Sequence, residues 1–163
     1  MNITFDALPS TLEEMQACPY GSLSEPEYGA ALFLAAMLVY PKNKEEAHRM
    51  IAWLKGPGGL NEYQKQFLRD RMMDGRDYVV RSYFVGSSPE NDYTFDMPAT
   101  TVDMVRRPET PVEGRMRVFM KSTGADSERE IRMRLKPSEG KWYMEDQMLL
   151  AMIRVPVSKD DWA

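Results

Sequence analysis

At Arg76 the spacing of the apolar residues changes. Before it they recur every three or four positions between helix caps, and after it they alternate. A chain whose period switches once from helical to two folds as helices followed by a sheet, and short links between the strands allow antiparallel pairing without crossover helices. The expected class is therefore α+β, with N-terminal helices packed on one face of a C-terminal antiparallel sheet. The whole of 1–163 reads as a single domain: an N-terminal arm with a short helix over 1–24, a helical part over 25–75 and a mainly β part over 76–163. At this length the core needs neither a metal nor a disulfide staple.

Helix boundaries follow from caps. Ser10 with Glu13, and Ser24 with Pro26 and Glu27, fit helix starts near Thr11 to Gln16 and Glu25 to Tyr40. The second of these is apolar almost all round from Ala30 to Val39, as a central core helix is, and Pro41 ends it. Asn43 and Asn61 cap two further helices, separated by "KGPGGLN". Alternation then predicts strands at Tyr78 to Phe84, Thr100 to Arg106, Gly114 to Ser122, Arg129 to Lys136 and Lys141 to Glu145, with a long shaped loop, "VGSSPENDYTFDMP", after the first. The closing "QMLLAMIRVP" reads as either a final strand or a short helix docked on the core.

Composition removes several chemistries. One cysteine, Cys18, cannot close an intramolecular disulfide, and with one histidine, His48, it cannot assemble a Cys/His zinc site. HExxH, GxSxG and GKS/GKT signatures are absent from the sequence. His48 reads as a structural histidine, and Cys18 has no activating neighbour. Neither a cofactor nor a metal is expected. "KGPGGLN" joins two helices instead of following a strand and lacks a P-loop lysine and hydroxyl, so it reads as an interhelical turn. The apolar run Ala30 to Tyr40 is shorter than the roughly 20 residues of a membrane helix. "MNITFDALPSTLEEM" lacks the basic and apolar regions of a signal peptide, so a cytoplasmic location is expected. A net charge of -4 argues against indiscriminate binding to nucleic acid.

Two places remain where function could sit. In the loop Ser82 to Met97, Tyr83, Asn91 and Tyr93 offer hydroxyl and amide groups that could converge on a small polar ligand; the alternative is an ordered loop whose tyrosines cover the core. On the strands, Arg115, Arg117, Lys121, Arg132, Arg134 and Lys136 alternate away from Met116, Val118, Met120, Ile131 and Met133. Phe119 and Tyr143 are expected among these cations. That face reads either as a site for a phosphate backbone or an acidic protein partner, or as a solvated, edge-protecting surface. The turn "GADS" between the arginine strands reads as a hairpin loop. Fourteen methionines suggest either a methionine-rich core or an adaptable surface.

Read in order, "LKGPGGLNEYQKQFLRDRM", "RSYFVGSSPENDYT", "GADSERE" and "GKWYMEDQMLLAMIRVP" resemble an uncharacterised family of bacterial proteins, mostly from gut-type Firmicutes, known as a domain of unknown function. The resemblance spans about Glu25 to Pro156 and implies no activity, catalytic residue or cofactor. The family pattern has prolines where this chain has Phe95, Glu128 and Glu130, so the turns there are expected to differ. The order of helices before sheet is also similar to cone-shaped proteins of the nuclear-transport-factor type, whose curved sheet and helices enclose a pocket. The resulting expectation is a non-enzymatic cytoplasmic binding or protein-interaction domain; the alternative is a small pocket enzyme of the cone-shaped class using Asp or Tyr as acid and base.

Overall fold

The computed structural model describes residues 1–105, 107 and 110–163. The expected strand end at Arg106 lies outside them. The fold is α+β: five antiparallel strands in the order β1-β2-β3-β4-β5 curl into a half-barrel whose inner face receives the helices.

One strand comes earlier than the sequence suggested. β1 (Asn2–Phe5) precedes the helices and pairs antiparallel with β2 (Thr100–Val105), Ile3 opposite Val102, so the helical part is inserted between two neighbouring strands. The helices are α1 (Leu12–Ala17), α2 (Pro26–Val39), α3 (Lys44–Lys55), α4 (Glu62–Met72) and the one-turn α5 (Tyr78–Arg81). Asn43 accepts from the Glu46 amide, and Asn61 forms a reciprocal capping box with Gln64, as their spacing predicts. Ser10 and Ser24 do not cap: Thr11 holds the Glu14 amide of α1, while α2 starts from Glu25 with Pro26 in its first turn. The predicted strand Tyr78 to Phe84 is a correction. Its residues form α5, and only Phe84 reaches the sheet, as a single bridge to Val102. Tyr78, Val79, Val80, Tyr83 and Phe84 are all buried, and a short apolar run satisfies helix and strand periods equally.

The remaining strands are β3 (Arg115–Met120), β4 (Arg129–Lys136) and β5 (Lys141–Gln147). Val118, Met120, Ile131, Met133 and Met144 join α2 in the core. Every residue from Ala30 to Met37 is buried, because α2 lies between the sheet and the other helices. Met15, Met37, Met50, Met120 and Met133 have no exposed surface, so the methionines serve largely as core filling. His48 is half-buried with its ring edge-on to Tyr40, centroids 5.8 Å apart, and burial holds its pKa below the usual histidine value. Among the described residues no helix is long and apolar enough to cross a membrane.

Past Gln147, which ends β5, the segment "QMLLAMIRVP" is neither strand nor helix. It is an irregular stretch with Leu149, Leu150 and Ile153 buried, and its backbone groups are held by side chains: Gln147 accepts from the Leu149 amide, and Arg129 donates to the Met152 carbonyl at 2.9 Å.

Placing a charge inside α2 tests its centrality. Leu34→Asp should abolish soluble folding, since an unpaired buried carboxylate costs several kcal/mol against a total stability of about 5 to 15 kcal/mol. A soluble variant with an unchanged melting temperature would remove α2 from the centre of the fold.

Candidate functional site

Tyr83 and Tyr93 are both fully buried, and their hydroxyls go to the C-terminal segment: Tyr83 donates to the Leu149 carbonyl, Tyr93 to the Arg154 carbonyl at 2.6 Å. Burial pushes both phenols upward in pKa. Asn91 works inside its own loop, accepting from the Ser88 and Thr94 amides and donating to the Gly86 carbonyl at 2.9 Å. The structure therefore does not bring these three polar groups to one point. Tyr83 borders an open cleft of about 440 Å³ with Lys121, Ser122 and Asp126, whereas Asn91 and Tyr93 stay outside it.

The turn "GADS" belongs to the same fastening. Gly124 donates to Ser122 Oγ, its carbonyl accepts from the Arg154 amide at 2.9 Å, and Asp126 pairs with the Arg154 guanidinium at 2.8 Å. A Cβ on Gly124 would strike the Tyr93 hydroxyl and would stand 2.6 Å from Ile153 Cγ2. Glycine is required there by close approach.

The sheet face turned away from the helices does gather the cations. Arg115 stands opposite Arg134, and Arg117 opposite Arg132, in register across β3 and β4. Like charges directly opposed on a sheet are destabilising, so their neighbours matter. A bulge between β4 and β5 supplies two of them: Arg132 pairs with Asp146 but Met133 with Met144, leaving Glu145 as an extra residue. Glu145 accepts from Arg115 Nε at 2.7 Å. Lys121 lies 3.5 Å from Asp103, and Lys136 lies 3.4 Å from Glu139. Arg134 is exposed, Arg132 half-buried, and the Arg117 guanidinium lies 5.2 Å from the Phe119 ring centre. Phe119 departs from expectation. It does not present its ring to solvent but is buried beneath the Arg107 guanidinium at 3.7 Å, and Arg107 in turn reaches Glu128 at 3.2 Å.

Sequence reasoning missed Lys55, at the end of α3. It is half-buried, donates to the Glu145 carbonyl at 3.2 Å, and has its pKa lowered by burial, with Asp146 and Glu145 acting in the opposite direction. Its signal was faint: a lysine beside a glycine turn reads as solvated. Glu145 and Asp146 were legible only as two acids in succession where β5 should alternate.

No group of three or more His, Cys, Asp or Glu side chains among the described residues could hold a metal ion. The sheet curls into a half-barrel, and among the described residues Phe33, Leu34, Met37 and Met133 pack together in the core between helices and sheet.

A family model described as a domain of unknown function, DUF6935, matches residues 7–157. The chain belongs to the DUF6935 family. No curated protein and no solved structure matches it. In this DUF6935 domain the family match takes in the cationic face, the "GADS" turn and the C-terminal segment "QMLLAMIRVP" that the turn helps to hold.

Gly124→Ala should lower stability by about 1 to 3 kcal/mol, the usual cost of overpacking, because the added methyl must displace Tyr93 or Ile153. Urea unfolding measures it. An unchanged midpoint would mean that the turn does not fasten the C-terminal segment.

Proposed function

We propose that the chain is a single, non-enzymatic, cytoplasmic bacterial domain that binds an acidic protein partner on the outer face of its sheet. The observation that carries this reading is the pair of opposed arginine rows, Arg115 with Arg134 and Arg117 with Arg132, on the face the helices leave open. Opposed cations lower the stability of the isolated sheet; Glu145 and Glu113 pair with Arg115, and Asp146 stands opposite Arg132. An anionic partner laid across β3 and β4 adds negative charge to these rows. Planar guanidinium groups suit carboxylates, which they hold through paired hydrogen bonds. Lys121 extends the cationic strip along β3.

Fluorescence anisotropy with a labelled poly-glutamate peptide tests the reading, with a single-stranded oligonucleotide of equal charge as the second probe. The peptide is expected to bind, and to weaken steeply with added salt, because screened charges supply most of the attraction. Arg117→Glu together with Arg132→Glu should abolish that binding. The double variant should still fold, with stability changed by only about 0.5 kcal/mol per surface site. Equal peptide binding by the double variant would overturn the proposal, as would tighter binding of the oligonucleotide.

A further inference from the structure

Beyond the edge of β5 the outer face runs into a groove. Its basic end, about 670 Å³, lies between the turn Gly56–Gly58 and the β4–β5 hairpin, bordered by Lys55, Gly59, Arg134, Lys136 and Tyr143. Its apolar end, about 310 Å³, is bordered by Ile51, Leu60, Phe67, Leu68 and Met144. Lys55, Asn61, Gln64, Met144 and Glu145 border both ends, so the two form one channel along β5. Each volume falls within the roughly 300 to 1,000 Å³ in which proteins seat ligands.

We infer that this groove receives an extended segment of the acidic partner, with a large apolar side chain at the Leu60–Phe67 end and acidic residues at the Lys55–Lys136 end. The inference rests on the outer-face reading, since Arg134 belongs to both surfaces. Charge complementarity selects the occupant: at the basic end Lys55, Arg134 and Lys136 outnumber the acids, which are Glu145, whose carboxylate is already held by Arg115, and Glu139, 3.4 Å from Lys136. The capping box at the start of α4 adds the positive end of that helix to the same wall. Shape selects an extended chain. Added Cβ atoms at Gly58 and Gly59 would meet nothing, so bare backbone leaves the basic end wide, and the channel is open to solvent along one side. At the apolar end Tyr63 is 80% exposed and Phe67 36%, and a seated side chain would cover that surface.

The test is anisotropy with three short labelled peptides: Leu-Phe ahead of a run of Glu, the same with Ser-Ser for Leu-Phe, and the same with Lys for Glu. The first should bind at least about tenfold more tightly than either of the others. Phe67→Ser should reduce it to the level of the Ser-Ser peptide. Lys55→Gln with Lys136→Gln should weaken it about tenfold and flatten its salt dependence. Thermal melts accompany each variant, and Phe67→Ser carries the test if the lysine variant does not fold. Equal binding of all three peptides overturns the inference, as does displacement of the first by laurate at lower concentration. If the groove substitutions have no effect while Arg117→Glu with Arg132→Glu abolishes binding, the groove fails and the outer-face reading stands. The converse result keeps the groove and removes that reading.

Discussion

The rest of the structure depends on a helix with no polar side. α2 offers apolar surface in every direction from Ala30 to Val39, and burial of that surface is the largest favourable term available to the chain. Such a helix must be covered on all sides. The sheet covers one, through Met133, Met144 and their neighbours, while α3, α5 and β1 cover others. Gly29 shows how close the approach is: a Cβ there would stand 2.8 Å from Met133 Cε and 3.4 Å from the Trp142 carbonyl oxygen. The curl of the sheet follows, because a flat sheet would touch α2 along only one line.

What was legible in the sequence was local. Asn43 and Asn61 each announced a helix because a cap acts within one turn, and the alternation of β3 and β4 announced one-sided burial because a period of two needs no partner to be seen. What was not legible depended on distant pairing. β1 is four residues whose partner, β2, begins at Thr100. Tyr78 to Arg81 form a turn of helix, and of that run Phe84 alone bridges to the sheet, at Val102. Ser10 and Thr11 are both competent caps, and the docking of Leu12 decided between them: its amide donates to the Glu46 side chain of α3 at 2.7 Å.

The candidate site divides in the same way. The arginines were found, since alternation places them, but the balance around them was not, because it depends on a bulge that rotates Glu145 onto the cationic side. The loop tyrosines were found as polar groups, yet their hydroxyls lie inside, on carbonyls of a segment more than sixty positions further on. That segment has no regular ladder of its own. Its backbone therefore needed partners from elsewhere, and the side chains of Tyr83, Tyr93 and Arg129 and the carbonyl of Gly124 provide them.

The groove beside β5 has the same origin as the core. α3 lies against α2, and α4 turns back so that Phe67 and Leu68 line the same groove as Phe33 and Ile51, so the link between them reverses direction beside the edge of the sheet. Gly56 makes the reversal, with φ at +71°, and its missing side chain admits the Tyr143 ring, whose Cγ would lie 2.8 Å from a Cβ. A larger residue at that point would push the turn away from β5. Larger residues at Gly58 and Gly59 would instead fill the space beyond it. The sequence therefore closes the contact at one glycine and leaves the next two open, which keeps a channel lined with cations beside an edge strand.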